Sequence, residues 1–288
     1  MNSSNTQTIP STELTSTSNG SKIKGIIFDF DGVISSFQVR IGWPIVSAAL
    51  MVKPDITDQQ IADASLEGFT MLNTLEKQPN KTSLFKFAFN MGKRFGMTNF
   101  QSLKFVITTA IIYAKNRKTI VPTIGVREVL REILAQDYKL VLLTNSSKQV
   151  INIAKEKIPE IKEFDLVLTR DDVKLIKPNA TGMFKAMKIL DLKADEVISI
   201  GDQASDVIAG KRAGTLTVAM NEKIMKFVKP HLQEQNPDFI IRDLRQLPNL
   251  LIFLRDCIIE DLRTTIDLTE KSIQELMIES DLMVQPGS

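Results

Sequence analysis

Apolar residues dominate Ile23–Phe28, and the run stops at Asp29-Phe30-Asp31-Gly32. A short stretch that is apolar on consecutive positions, not on alternate ones, predicts a strand buried on both faces and followed by a turn. From Gly125 onward the pattern alternates between two periods. Val126, Val129, Leu130, Ile133 and Leu134 share one helical face, and Lys139–Leu143 then reads as a strand ending at Thr144-Asn145. Residues 148–157 read as a helix, Phe164–Thr169 as a strand and Thr181–Leu190 as a helix. Val197–Ile200 is a further strand that stops at Gly201-Asp202, and Ser205–Ala213 is a short helix that Gly214 is placed to end. Leu216–Ala219 and Phe239–Arg242 complete the strands. This order predicts an α/β fold, a doubly wound parallel sheet with right-handed crossovers.

Ser36 to Pro122 breaks the rhythm. Phe100, Leu103, Val106, Ile107, Ala110, Ile111 and Ala114 follow helical spacing, and strand-like alternation is lacking, so an all-helical insert is expected between the first strand and the rest of the sheet. Beyond Pro248 the pattern is helical to about Leu282, with a loose capping box at Asp267–Glu270. The expected organisation is a disordered arm at 1–20 and a catalytic core from 21–35 and 123–254. The insert takes 36–122, and a helical extension takes 255–288.

Composition narrows the setting. A chain of 288 residues can bury one large core plus a smaller insert, and 43% hydrophobic with 24% charged residues is ordinary for a soluble globular protein. A net charge of +2 selects neither nucleic acid nor a membrane surface as a partner. Cys257 stands alone, so no intramolecular disulfide forms and a reducing compartment is permitted. Residues 1–20 are rich in Ser, Thr and Asn without an apolar centre, which does not read as a signal peptide. Ile41–Val52 and Phe105–Ala114 are the longest apolar stretches, short of the roughly 20 residues that span a bilayer. A cytoplasmic protein is expected.

Ligands of open parallel sheets bind outside the carboxyl ends of the strands. Three strands here end in polar groups: Asp29 with Asp31, Thr144 with Asn145, and Asp202 with Asp206. Lys177, in a Lys-Pro-Asn turn before a helix, adds an amine, and turns such as that at Gly32 add N–H donors. Clustered carboxylates repel unless a cation sits among them, and oxygen-only ligands favour Mg²⁺. A divalent cation beside a lysine and N–H donors suits a phosphoryl group, and a carboxylate can attack phosphorus to form an aspartyl-phosphate.

Asp29-Phe-Asp31-Gly-Val, Leu-Leu-Thr144-Asn145, Lys177-Pro and Gly201-Asp202-Gln-Ala-Ser-Asp206 stand in the order of the four signatures of the haloacid dehalogenase superfamily. From Ile23 to Leu250 the chain resembles that superfamily's phosphoglycolate phosphatase-like branch, including Ala209–Gly214. The resemblance implies Asp29 as nucleophile and Asp31 as general acid, then base. It implies Thr144 as a phosphate donor, Lys177 as a clamp on Asp29 and the phosphoryl group, and Mg²⁺ held by Asp29, the carbonyl of Asp31 and Asp202. Asp206 would orient Lys177 or a metal-bound water. The superfamily's dehalogenating members lack a carboxylate at position 31, so Asp31 argues for phosphoryl transfer.

The resemblance also makes residues 36–122 a helical cap that closes over the site. Between Glu76 and Pro122 nine basic residues face one acid, Glu76. Most of these lysines read as solvated helix faces, with Phe85, Phe87, Phe89 and Phe95 packed inside; Lys93 and Arg94 are the candidates for a cationic lid. Ser36 stands where relatives usually have an acid, so the particular substrate does not carry over. His231, the sole histidine, lies outside every motif and reads as structural.

The expected function is a magnesium-dependent phosphatase for a small phosphorylated metabolite, with pyrophosphate hydrolysis inside that reading. A sugar phosphomutase and a non-catalytic binding protein on the same fold remain as alternatives. The mutase is weakened by a cap without histidine, the binding protein by an intact nucleophile and lysine. A homo-oligomer is left open. From Arg255 to Ser288 eight acidic residues face three basic ones. That acidic tail either docks on the basic cap or packs elsewhere.

Overall fold

The computed structural model describes residues 23–116, 118–220 and 232–256. The arm at 1–20, His231, the acidic tail and the continuation of the last helix toward Leu282 lie outside the described residues.

The central strand β1 (Gly25–Phe28) pairs in parallel with β2 (Lys139–Leu143) on one side and with β4 (Val197–Gly201) on the other. Beyond β2 lies β3 (Leu166–Leu168); beyond β4 lie β5 (Leu216–Met220) and β6 (Phe239–Ile241). The six parallel strands run in the order β3-β2-β1-β4-β5-β6. The direction of winding reverses between β1 and β4, and in such a sheet that reversal opens a crevice at the strand ends.

Successive residues of β1 serve opposite layers. Ile27 joins Val141 and Leu143 in one core with Met183, Ala186 and Met187 of α7 (Thr181–Leu190) and Ala209 of α8 (Ala204–Ala213). Phe28 meets Phe164 at 5.7 Å between ring centroids. Leu130 and Ile133 of α5 (Val126–Leu134) are fully buried. The remaining core helices described are α6 (Lys148–Lys157) and α9 (Leu247–Asp256). The strand expected over Phe164–Thr169 is shorter than its apolar run. The Asp165 carboxylate accepts the Leu140 N–H at 2.9 Å, so a side chain does there what the backbone does in a ladder, and β3 starts one residue later.

Between β1 and α5 the insert is helical, as its periodicity predicts. A π-helical turn at Gln38–Gly42 leads into α1 (Trp43–Val52), α2 (Asp58–Thr74), α3 (Lys81–Arg94) and α4 (Asn99–Asn116). Ala48, Ala49, Ile56, Ala64, Met91, Phe95, Met97 and Phe105 form a separate small core. The two connections run side by side: Ser36 N–H donates to the Val121 carbonyl at 2.8 Å and Thr123 N–H to that of Ile34 at 3.0 Å.

One expectation about the insert fails in part, and the apolar stripe of α4 is not the face that packs. Phe100, Leu103, Ile107 and Ile111 do not face inward; Phe100 is 78% exposed, while Ser102 and Phe105 are buried. The cause is close packing at small residues. A Cβ on Gly92 would lie 3.0 Å from Ser102, so α3 and α4 meet backbone to backbone at that point, and this contact fixes which face of α4 turns in. Phe85, expected inside, is 44% exposed and stacks on Phe89 at 6.1 Å; Phe95 is buried as expected. Among the described residues no helix is long and apolar enough to cross a membrane.

Candidate active site

The backbone places the acids before any side-chain preference acts. Asp29 directly follows β1, and its N–H donates to the Ile200 carbonyl at 2.8 Å, so β4 fixes where the carboxylate begins. Gly32 turns the chain back with φ +93°, a conformation that favours glycine. A Cβ there would also lie 1.9 Å from Oδ2 of Asp202, so Gly32 makes the room in which the β4 acid sits beside the β1 acids.

Lys177 joins two of these strand ends. Its Nζ lies 2.5 Å from Oδ1 of Asp29 and 2.6 Å from Oδ1 of Asp206, and it donates to the Leu143 carbonyl at 2.8 Å. Asn145 holds the loop that carries it: its Nδ2 donates to the Lys177 carbonyl at 2.9 Å and its Oδ1 accepts the Lys177 N–H at 3.1 Å. The Asn145 amide is therefore committed to backbone, although the residue lines the cleft. The Thr144 hydroxyl accepts the Ser146 N–H at 3.0 Å. Asp206 does two jobs at once. Its other oxygen accepts the Gln203 N–H at 3.1 Å and caps α8, so the ordinary helix-capping role and the lysine contact coexist in one carboxylate.

Electrostatics follow from burial. Loss of solvent pushes Asp29 up to about 7, against the pull of Lys177 and with further upward pressure from Asp206 and Asp31. Burial likewise pushes Asp202 well above the usual carboxylate range, reinforced by Asp206, Asp29 and Asp31. For Lys177 burial acts downward, but Asp206 and Asp29 outweigh it and hold the amine above its ordinary value. Among these acids one atom is left over: Oδ1 of Asp202 is buried without a hydrogen-bond partner. Oxygens of Asp29, Asp202 and Asp206 lie within 4.8 Å of one another. An oxygen-only donor set, two acids pushed up by burial and by one another, and an orphaned buried oxygen fit a hard divalent cation.

The cleft holds about 230 Å³ and is lined by both halves of the molecule: Asp29, Asp31, Ser146, Lys177 and Arg170 from the core, and Arg40, Leu84 and Tyr113 from the insert. Arg40 is a residue that sequence reading missed. Only 2% exposed, it donates from Nε to Oδ1 of Asp31 at 2.7 Å and pairs through Nη2 with Oδ2 of Asp31. Its sequence signal was available: it is the single charged side chain between Asp31 and Lys53, inside an apolar run. The two residues singled out for a cationic lid are not among those lining the cleft. Lys93 Nζ donates to the Met97 carbonyl at 2.9 Å, and Arg94 pairs with Glu67. Asn73 and Glu76 were also missed as insert-to-core contacts. Asn73 Oδ1 accepts the Ser205 N–H at 3.1 Å, and Glu76 bridges Arg212 at 2.5 Å and Asn179 at 3.2 Å.

Comparison with known proteins agrees with this geometry. Residues 26–220 match the haloacid dehalogenase-like hydrolase family. Pyrophosphatase PpaX of Bacillus anthracis is 33% identical over 132 residues, 46% of this chain and 58% of its own length, so the chain spans less than two thirds of that relative. A predicted phosphoglycolate phosphatase of Haemophilus somnus superposes with a TM-score of 0.59 at 18% identity, over 79% of this chain and 97% of its own. The HAD-hydrolase YfnB of Bacillus subtilis, in a form bound to magnesium, gives 0.60 at 18% identity, over 80% and 99%. At such identity the two structures share the fold.

Proposed function

We propose, from the premise that the chain belongs to the haloacid dehalogenase-like hydrolase family, that it is a phosphatase acting on a small phosphorylated metabolite with Asp29 as nucleophile. One observation carries this reading: a buried Asp29 carboxylate is held 2.5 Å from Lys177 at the floor of a cleft, beside an Asp202 oxygen that no protein group satisfies.

In the proposed reaction a carboxylate oxygen of Asp29 attacks phosphorus as the bond to the leaving oxygen breaks. Asp31 gives that oxygen a proton and then takes one from the water that hydrolyses the aspartyl-phosphate. Lys177 spreads its charge over Asp29 and the incoming phosphoryl group, and Asp206 keeps it aimed. Thr144 donates a hydrogen bond to a phosphoryl oxygen. Asn145 and Gly32 act by holding the Lys177 loop and leaving space for Asp202. Mg²⁺, held by Asp29, the Asp31 carbonyl and Asp202, would supply charge neutralisation at the phosphoryl oxygens. Residues 36–122 are read as the cap that closes over this floor and excludes water.

The test is turnover of p-nitrophenyl phosphate. Wild type should require a divalent cation, and Asp29→Asn should lower kcat by at least about 10³-fold, because a covalent step is removed and not one hydrogen bond. Activity within tenfold of wild type in that variant would refute the assignment.

A further inference from the structure

Arg40 sits where a substrate ought to be met. The π-helical turn at Gln38–Gly42 sends its side chain back toward the core, and single π-turns are frequent at functional sites. There the guanidinium fork engages both oxygens of Asp31. Nη2 also reaches the Ser146 hydroxyl at 2.7 Å, and that hydroxyl donates to Oδ2 of Asp31 at 2.6 Å. Tyr113, from α4, lines the same cleft and lies close enough to act on the guanidinium electrostatically. Arg40, Tyr113 and Asp31 all line the cleft that holds Asp29.

This arrangement conflicts with the proposed work of Asp31. A carboxylate with both oxygens engaged by a fork and a hydroxyl has no oxygen directed at a leaving group. Removing Arg40's partner without replacement would strand a buried cation, which is costly, so Asp31 can be released only to another anion. A second cation waits nearby: Arg170 lines the same cleft, its Nε is buried without a hydrogen-bond partner, and Asp171 lies 3.8 Å away.

Resting on the phosphatase reading above, we propose that Asp31 occupies Arg40 in place of a second anionic group on the substrate. The substrate is then a phosphate ester or anhydride whose leaving portion carries its own carboxylate or phosphate. That group takes the Arg40 fork, with Arg170 and Tyr113 beside it, and Asp31 swings free to face the leaving oxygen. A phosphate ester without the second anion binds at Asp29 but leaves Asp31 clamped. Arg40 is thus a specificity-determining residue that couples recognition of one end of the substrate to chemistry at the other. A cleft of about 230 Å³ limits that substrate to a small molecule.

The experiment uses the full chain with Mg²⁺ and a matched pair, 2-phosphoglycolate and 2-hydroxyethyl phosphate, which differ in the second anion. Wild type should favour the first by about 10- to 100-fold in kcat/KM, the range expected for a charge-assisted contact, with most of the difference in kcat. Arg40→Lys, which keeps the charge but loses the fork, and Arg40→Met should both reduce the preference to within about threefold. Binding of phosphonoacetate against methylphosphonate by calorimetry gives the same comparison without turnover, with the preference present in wild type and lost in Arg40→Lys. A wild type that hydrolyses neither ester would sink the phosphatase reading, while the calorimetric pair still decides the role of Arg40. Equal use of both esters by wild type, or a preference untouched by Arg40→Lys in a folded variant, overturns the inference.

Discussion

At the strand ends, charged side chains lie buried and each is tied to another. Asp29, Lys177 and Asp206 are each less than 8% exposed and share two ion pairs, and Asp202 sits among them with an oxygen unsatisfied. In the helical insert the distribution is inverted. Trp43, Met51, Phe100, Ile107 and Ile111 are more than half exposed, while most of its lysines are also in water and Arg40 alone of its described cations is buried. The sheet holds mutually repelling acids at the ends of strands that are themselves buried, β1, β4 and β5 along their whole length. Among the described residues the insert has a core of eight, and it contributes to the cleft above all through Arg40 and Tyr113. The buried charges thus belong to the sheet, and the exposed apolar surface to the insert.

The contrast can be broken most sharply inside the insert. Phe105→Ala should cost about 3–5 kcal/mol, because Phe105 is fully buried against Phe95 at 5.5 Å between centroids, whereas Phe100→Ala should stay within about 0.5 kcal/mol. Chemical denaturation of both variants measures this, and equal costs would mean that the exposed stripe on α4 is covered in solution.

A smaller effect tests the floor. Asp29 has its carboxyl pushed from 3.8 to about 7, so the folded state holds a proton that the unfolded chain has released. That contribution favours folding fully below about pH 4 and is lost as pH rises through about 7. In metal-free protein the Tm of wild type minus that of Asp29→Asn should therefore fall steadily from pH 4 to pH 8. A flat difference would show that Lys177 cancels the burial of Asp29. Adding Mg²⁺ at pH 8 should raise wild type and leave Asp29→Asn less affected.

The smallest effect concerns the joint between the two regions. Glu76 links the insert to Arg212 and to Asn179, two residues after Lys177, but both contacts are partly solvated. Glu76→Gln should leave Tm close to wild type and change kcat/KM by no more than about twofold. A tenfold loss would make Glu76 a latch that positions the Lys177 loop.

The chain order of the chemistry was legible from the residues alone. Apolar runs that stop at Asp29, Thr144 and Asp202 announce strands whose polar ends converge, because a buried parallel strand must be continuously apolar and its ligands must lie at its carboxyl end. The helical nature of 36–122 was legible for the same local reason, a period of 3.6 without alternation. Which face of α4 turns inward was not, since the close approach of Gly92 to Ser102 outweighed the longer apolar stripe. Nor was the double duty of Asp206, where cap and lysine contact fall on two oxygens of one carboxylate. The partner of Arg40 lies beyond any periodicity: a lone arginine in an apolar run announces burial, but only the π-turn and the fold of the insert over the core bring it onto Asp31 and Ser146, the latter 106 residues away. Local pattern determines where a polar group must end a strand; long-range packing decides which charges meet there, because burial makes each ion depend on whichever counter-charge the fold delivers.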